Sequence, residues 1–334
     1  MRSILLIGGG GYIGPVIAQE LLNQSHSVTV LDLLIYKNDI GIKTLKNNPK
    51  FKFILGDFCK AVDLDDALIG ITDVIILGGL VGDPITKKYP IESHAINDVG
   101  IINCISILKR KNLNRVIFIS TCSNYGLIAN DELATEDFPL TPLSLYSKSK
   151  VKAETFILTR DSDTNYTPTV IRFATAFGIA PRMRFDLTVN EFVAELYFNE
   201  KLEIFDADTW RPYCHVNDFA RLINLVLDAP ENLVSYEVFN AGSDSNNCTK
   251  RSLVEIISGF IPNCDLRYLS NGSDPRNYKV NFNKVQSVLG FQPTYSLEKG
   301  VEDLIYSLGQ GSFNSYLNNK NFYGNYEIEY PKHA

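Results

Sequence analysis

The sequence has few of the features that mark metal-binding, secreted or membrane proteins. Its six cysteines form no CxxC pair, and its four histidines show no metal-like spacing with them. No apolar run reaches the ~18 residues of a membrane-spanning helix, and the opening "MRSILLIGGGG" lacks a signal-peptide pattern. A formal net charge of −6 argues against a basic surface for nucleic acid or anionic membranes. We therefore expect a cytoplasmic protein with no metal, no nucleic-acid partner and no membrane partner.

Seven short apolar runs predict strands of one parallel sheet. The first five alternate with helical segments such as 12–24 and 95–112, as in βαβ units, and lie at 3–8, 27–32, 51–55, 73–77 and 115–120. Their continuous apolarity is typical of strands that are buried on both faces. Two later runs, 169–173 and 236–242, are expected to join the same sheet. The predicted fold class is α/β, with a doubly wound parallel sheet and a smaller C-terminal part.

A glycine cluster lies between the first predicted strand and the first predicted helix. In "GGGGYIG", Gly8, Gly11 and Gly14 form the pattern GxxGxxG, which permits a tight turn and the close approach of a pyrophosphate to the helix N-terminus. Asp32 ends the second strand, where a carboxylate accepts hydrogen bonds from both ribose hydroxyls of NAD and repels the 2′-phosphate of NADP. Either signal alone could be an ordinary turn or strand end, but together they predict NAD binding. Asp57, just past the third strand, is placed where it could meet the adenine ring.

The regular alternation of strands and helices ends near residue 174. Residues 1–174 are therefore predicted to form a Rossmann-type NAD-binding domain, which a helix and a strand within about 214–243 rejoin. Residues 175–213 and 244–334 are predicted to form the substrate-binding part. We interpret the aromatic-rich C-terminal tail as a strap packed on the body, with a partner-binding tail as the alternative.

Tyr146 and Lys150 lie four residues apart in "YSKSK", on one face of a predicted helix. A tyrosine with an ordinary pKa near ~10 is a poor base at neutral pH. A lysine ammonium and the positive nicotinamide ring nearby would both lower the pKa of the phenol. Such pairs are common on protein surfaces, but in a chain that binds NAD this one indicates a catalytic pair.

As a set, the motifs resemble the extended short-chain dehydrogenase/reductase superfamily, and within it the NAD-dependent nucleotide-sugar epimerases and dehydratases. The resemblance is carried, in chain order, by "GGGGYIG", Asp32, "GD" at 56–57, "ISTCSNYG", "YSKSK", "WRPYCHVND" and "FNAGS". It implies that Thr121, four residues before Tyr125, hydrogen-bonds to the sugar hydroxyl that is oxidised. It also implies NAD as cofactor, a nucleotide-diphosphate sugar as substrate, and a homodimer or higher homo-oligomer.

The resemblance also implies the members of each site. The catalytic residues are Thr121, Tyr146 and Lys150. The cofactor-binding residues are Gly8, Gly11, Tyr12, Ile13, Gly14, Asp32, Asp57, Phe58, Leu77, Gly78, Gly79, Tyr146, Lys150 and Phe173. The substrate-binding residues are Thr121, Thr175, Arg184, Arg211 and Arg276.

Arginines are expected to hold the substrate diphosphate, because guanidinium forks pair well with phosphate oxygens. In similar enzymes the positions of Arg211 and Arg276 grip the diphosphate, and the alternative for Arg276 is an ordinary ion pair with Asp274. Thr175 stands where many epimerases have an asparagine. The sequence therefore leaves the sugar open.

The two residues after Thr121 bear on the type of reaction. In similar 4,6-dehydratases an Asp-Glu pair stands there, whereas this chain has Cys122 and Ser123, neither of which is a practical base at neutral pH. Dehydration is therefore disfavoured. The predicted function is an NAD-dependent nucleotide-diphosphate-sugar epimerase that acts at C4 through a transient 4-keto sugar. The alternatives are a nucleotide-sugar 4-dehydrogenase or 4-ketoreductase with net redox change, and a non-catalytic NAD-binding sensor or scaffold.

Overall fold

The computed structural model describes residues 1–129, 132–198, 201–272, 274 and 276–331. The strands in this part of the chain are β1 (Ser3–Ile7), β2 (Ser27–Asp32), β3 (Phe51–Leu55), β4 (Asp73–Ile76), β5 (Arg115–Thr121), β6 (Thr167–Phe173), β7 (Thr175–Phe177), β8 (Leu202–Phe205), β9 (Trp210–His215), β10 (Glu237–Ala241), β11 (Asn247–Thr249) and β12 (Leu266–Leu269). The main sheet has the order β10-β6-β5-β4-β1-β2-β3, and all of its neighbouring strands are parallel.

The helices in the same described residues are α1 (Gly14–Asn23), α2 (Ile40–Leu45), α3 (Ala61–Ala67), α4 (Asp83–Lys88), α5 (Pro90–Ser93), α6 (Ile101–Lys109), α7 (Leu145–Ile157), α8 (Thr188–Tyr197), α9 (Val216–Asp228), α10 (Glu231–Val234), α11 (Lys250–Phe260), α12 (Asn283–Leu289) and α13 (Leu297–Gly309). A π-helical stretch, His94–Gly100, joins α5 to α6. None of these helices is long and apolar enough to cross a bilayer.

Strand β1 shows why the apolar runs form a sheet that is covered on both faces. Ile4 and Leu6 belong to one buried cluster, together with residues of α1 and α9. Leu5 and Ile7 point to the opposite face and belong to a second cluster, together with residues of α6 and α7. Alternate side chains therefore enter two separate cores, as expected for a doubly wound sheet. The predicted fold class is confirmed.

All seven predicted strands form the main sheet, and their bounds differ from the prediction by two residues or fewer at each end. The helix predicted over 95–112 differs more, because its first part is π-helical. Within that part the Asn97 amide donates to the Leu80 carbonyl (2.9 Å) and accepts from the Leu80 N–H (2.8 Å). These hydrogen bonds tie the widened turn to the loop after β4.

A second group of elements follows the main sheet along the chain. Strands β7, β9 and β11 form one small sheet, and β8 pairs with β12 in another. Helices α8, α11 and α13 pack around a third buried apolar cluster that includes Phe177, Phe185 and Leu253. Within the predicted return segment 214–243, α9 packs on α1 and β10 lies at the edge of the main sheet. The exact bounds of the two domains stay a prediction.

Candidate active site

A cavity of about 520 Å³ lies at the carboxyl ends of the main-sheet strands. Gly8 follows β1, Asp32 ends β2, Thr121 ends β5 and Phe173 ends β6, so the parallel strands bring these residues to one edge of the sheet. Strands β1 and β4 are neighbours at the point where the strand order reverses, which is where ligands bind in open α/β sheets. All the residues that the sequence predicts for the cofactor and substrate sites line this cavity.

The glycine turn presents bare backbone to the cavity. Gly8 has φ +75°, and a Cβ there would lie 2.3 Å from the Gly78 Cα, so the turn can approach the loop after β4 only with glycine. A Cβ built on Gly11 would meet no described atom within 4 Å. Within the described residues, α1 has no side-chain cap and no acidic residue in its first turn. Its N-terminus therefore keeps backbone N–H groups for an anion.

Tyr12 joins the glycine turn to the second group of elements. Its buried hydroxyl donates to the Gly178 carbonyl and accepts from the Asn190 amide (3.0 Å). Because the hydroxyl is already hydrogen-bonded, the predicted contact of Tyr12 with the cofactor would be made by its backbone or its ring.

Two carboxylates line the part of the cavity where the sequence predicts the adenosine of NAD. The Asp32 carboxylate accepts hydrogen bonds from the N–H groups of Gly10 (2.8 Å) and Leu34 (2.7 Å), and these hold the side chain in place in the cavity lining. Burial raises the Asp32 pKa, and the two hydrogen bonds oppose this shift. Asp57 is buried and accepts the Cys59 N–H (2.9 Å). Both carboxylates keep lone pairs for further donors.

Helix α7 positions Tyr146 and Lys150, the predicted catalytic pair. Ser144 begins the helix with a capping box, because its hydroxyl accepts the Ser147 N–H (3.1 Å) and the Ser147 hydroxyl accepts the Ser144 N–H (3.1 Å). The Lys150 Nζ donates to the Ile119 carbonyl (2.8 Å) and lies 5.9 Å from the centroid of the Tyr146 ring. Burial lowers the Lys150 pKa to about 8. The ammonium is therefore mostly charged at pH 7 and lies close to the phenol.

The surroundings of Tyr146 raise the pKa of its phenol. Burial is the main cause and the Asp83 carboxylate adds to it, whereas Arg184 and Arg276 oppose it. The lowered pKa predicted from the sequence concerns a phenol that lies beside both the lysine ammonium and a bound nicotinamide ring, and it stays a prediction. Without the ring, the desolvation of the phenol by the surrounding protein outweighs the nearby positive charges.

Thr121 and its two successors have different surroundings. The Thr121 hydroxyl lies 2.9 Å from the Ser123 hydroxyl, and both residues line the cavity. The Cys122 thiol instead donates to the Arg172 carbonyl (3.1 Å) in the core, where burial raises its pKa. Cys122 therefore contributes no acid or base to the cavity.

The predicted phosphate-binding arginines are already paired with carboxylates. Arg184 makes a bidentate pair with Asp186 (2.9 and 2.6 Å). Arg276 pairs with Asp274 (2.7 and 2.8 Å), and Arg211 contacts the same carboxylate (3.0 Å). The ion pair considered as the alternative for Arg276 is therefore present. Whether these arginines also hold a diphosphate stays a prediction.

Several residues line the cavity although the sequence did not predict a role for them. Asp83 repeats the Gly-Asp signal of Gly56–Asp57 after the next strand and could have been found, whereas Glu191 and Lys250 carry no local signal. Burial raises the Glu191 pKa to about 7, and Glu195 and Asp186 add to the shift. The other cavity residues that the sequence did not indicate include Asn325, Tyr326 and Tyr330 of the C-terminal part.

Fold and cavity together define a dinucleotide-binding protein of the doubly wound α/β class. The chain belongs to the NAD dependent epimerase/dehydratase family, whose model matches residues 4–242. This confirms the resemblance seen in the sequence, and it makes NAD the cofactor. The cavity fits this dinucleotide, because the bare turn at Gly11 and the α1 N-terminus suit its pyrophosphate and Asp32 suits a ribose.

Relatives span nearly the whole chain. The low-salt glycan biosynthesis protein Agl12 of Haloferax volcanii is 28% identical, over 92% of this chain and 99% of that protein. A UDP-glucuronate 4-epimerase of Thermodesulfobacterium geofontis is 26% identical, over 90% of this chain and 94% of that protein. The crystal structure of the Bacillus cereus UDP-glucuronic acid 4-epimerase with UDP-glucuronic acid and NAD is 25% identical and has a TM-score of 0.82, over 92% and 99% of the two chains.

Proposed function

We propose that the protein is an NAD-dependent nucleotide-diphosphate-sugar epimerase that acts at C4 of the sugar. The observation that carries the proposal is the meeting of Thr121, Tyr146 and Lys150 in the cavity that the glycine turn and Asp32 also line. The similarity to proteins named as 4-epimerases for UDP-glucuronate and UDP-glucose supports it.

Tyr146 is the proton acceptor in the proposed reaction. When bound, NAD supplies the hydride acceptor and, while oxidised, a positive charge that favours the Tyr146 phenolate over the phenol. Thr121 hydrogen-bonds to the C4 hydroxyl of the sugar, and Tyr146 takes the proton of that hydroxyl as C4 becomes a ketone. Lys150 binds the nicotinamide ribose and keeps its ammonium beside the phenol. The keto sugar then turns its other face to the site, and Tyr146 returns the proton as C4 is reduced.

The same surroundings disfavour the elimination of water, the other reaction in the family's name. Elimination needs an acid and a base beside the sugar. The Cys122 thiol is buried in the core, and the Ser123 hydroxyl is not a practical base at neutral pH. A full epimerisation cycle needs neither group, and it leaves NAD unchanged.

The test is incubation of the purified protein with UDP-glucose, UDP-galactose and UDP-glucuronate. We expect at least one of them to give its C4 stereoisomer with no net change in NADH absorbance. A rise in NADH that matches the product formed would instead identify a 4-dehydrogenase. A product lighter by one water would identify a dehydratase.

A further inference from the structure

The C-terminal residues 324–330, here called the C-terminal strap, run along the outer side of the cavity. Asn325, Tyr326 and Tyr330 line the cavity together with the glycine turn and Asp32. The strap lies well beyond residue 242, where the match to the family model ends. It therefore lies outside the part of the chain that the family model matches.

Arg182 holds the first end of the strap. Its guanidinium donates to the Asn325 side-chain oxygen (2.8 Å) and to the Gly324 carbonyl (3.4 Å). Arg182 is itself buried and lies over the Tyr36 ring, with 4.9 Å from the guanidinium carbon to the ring centroid. This end is therefore anchored in the protein interior.

The middle of the strap is hydrogen-bonded to elements on two sides of the cavity. On the side of α4, the Lys88 ammonium donates to the Tyr326 carbonyl (3.0 Å). On the side of the loop after β2, the Glu329 N–H donates to the Ile35 carbonyl (2.8 Å). The strap therefore bridges the loop after β2 and the helix after β4, between which the adenosine end of the cavity lies.

The far end of the strap reaches the carboxylate that was predicted to meet adenine. The Tyr330 hydroxyl donates to the Asp57 carboxylate (3.0 Å). Ile328 and Tyr330 pack, together with Ile35 and Phe58, on a small buried apolar cluster. An ionised carboxylate has about four acceptor sites, so Asp57 can bind Tyr330 and an adenine amino group together.

We propose that the C-terminal strap forms the outer wall of the adenosine subsite, that Tyr330 is a cofactor-binding residue, and that NAD exchanges only when the strap opens. The inference deepens the proposed function and rests on it for one point: an epimerase regenerates NAD in place and gains from holding it. An enzyme with net redox change must release its cofactor in every cycle.

The charges of the strap make its opening sensitive to salt. Glu327 pairs with Lys88 and Glu329 pairs with Lys37, and all four side chains are about half exposed or more. Exposed ion pairs are weak and are screened by salt. The rate of NAD release should therefore rise a few-fold between low and high ionic strength.

The direct test measures how fast the full-length protein exchanges bound NAD for isotopically labelled NAD, by mass spectrometry under native conditions. Tyr330→Phe removes one hydrogen bond and should speed release by roughly two- to tenfold. The double variant Glu327→Lys/Glu329→Lys reverses both strap charges and should speed it further. Adding Lys37→Glu to the double variant restores an ion pair between positions 37 and 329 and leaves the Lys88 ammonium on the Tyr326 carbonyl, so it should slow release part of the way back. Exchange at the wild-type rate in Tyr330→Phe and in the double variant would overturn the proposal.

Matched variants on α13 test whether the effect is local. Tyr306→Phe and Glu302→Lys alter exposed side chains and should exchange NAD at the wild-type rate. Binding of ADP-ribose should weaken in the strap variants, whereas binding of nicotinamide mononucleotide should not change. Equal weakening of both ligands contradicts an adenosine wall.

The two proposals fail separately. Fast NAD exchange in the strap variants of a protein that epimerises no sugar supports the strap and contradicts the proposed function. If the protein epimerises a sugar but all variants exchange NAD at the same rate, the proposed function is supported and the role of the strap is contradicted. Thermal unfolding of each variant shows whether its fold is intact. If the charge reversals unfold the protein, the test rests on Tyr330→Phe, because this variant loses only a hydroxyl.

Discussion

At the scale of single residues, the proposed chemistry depends most directly on the Tyr146 phenol. Replacing Tyr146 by Phe removes the proton acceptor but keeps the ring, and positioned acid–base groups contribute ~10²- to 10⁴-fold to rate. We expect kcat for epimerisation to fall by about that factor while the protein still carries NAD. The matched control is Tyr306→Phe, since the Tyr306 ring is 68% exposed on α13. A Tyr146→Phe enzyme of normal kcat would rule out the assigned role.

Glu191 predicts a pH dependence of substrate binding. Its pKa is raised to about 7, so the carboxyl is mostly neutral below pH 7 and negative above it. A negative Glu191 would repel the diphosphate of a sugar nucleotide bound in the same cavity. We expect KM for the sugar nucleotide to rise as the pH passes through 7, and Glu191→Gln to flatten the rise. Glu302→Gln, at an exposed position, should leave the profile unchanged. An unaltered profile in Glu191→Gln would disprove the link.

At the scale of elements, the start of α9 carries a pH-sensitive cap. His215 is buried, stacks on Tyr295 with 4.0 Å between ring centroids, and accepts the Asn217 N–H at its Nδ1 (3.2 Å). Burial lowers the His215 pKa to about 4, against the opposing charges of Asp218 and Asp303. Between pH 6.5 and 4 the unfolded chain therefore binds a proton that the folded protein does not.

This difference makes His215 lower the free energy of unfolding as the pH falls from 6.5 to 4, by at most about 3 kcal/mol. His215→Asn keeps a capping acceptor that does not titrate. Urea unfolding across this pH range should show a shallower loss of stability in His215→Asn than in the wild type. Tyr306→Phe, at an exposed position, should keep the wild-type slope, and equal slopes in all three proteins would refute the assignment.

The elements that the sequence predicts well are those whose signal is local. Each main-sheet strand is a continuous apolar run, and the residues that follow it reach the cavity because parallel strands end at one edge. Strand β8 is only four residues long and alternates buried with exposed side chains, so its pairing with β12 depends on distant partners. The pairing of Arg211 with Asp274 and the contact of Tyr330 with Asp57 also join residues far apart in sequence, and no local pattern encodes such contacts.

At the scale of the whole molecule, the cavity lies where the main sheet meets the second group of elements. A ligand that binds only the folded state stabilises it by about 2.7 kcal/mol at a hundredfold excess over Kd. NAD added to protein that has been freed of bound cofactor should therefore raise the midpoint of thermal unfolding. NADP at the same concentration should raise it less, because its 2′-phosphate would lie beside the Asp32 carboxylate. An equal or larger rise in the midpoint with NADP would contradict the predicted binding of the ribose by Asp32. In Asp32→Asn, the rises in the midpoint with NAD and with NADP should become more similar.

The pairing of the cavity arginines has a consequence for how a substrate arrives. Arg184 pairs with Asp186. Arg211 and Arg276 share Asp274, and Arg276 also lies 3.3 Å from Asp83, so the charges of the three arginines are largely neutralised at short range. The chain as a whole carries a formal charge of −6. The net charge of the chain therefore gives an anionic sugar nucleotide no overall attraction from solution. A guanidinium has five N–H donors, so a diphosphate at the predicted site would bind other N–H groups of the paired arginines or exchange places with a carboxylate. Recognition would then depend on hydrogen bonds formed inside the cavity rather than on electrostatic steering from solution.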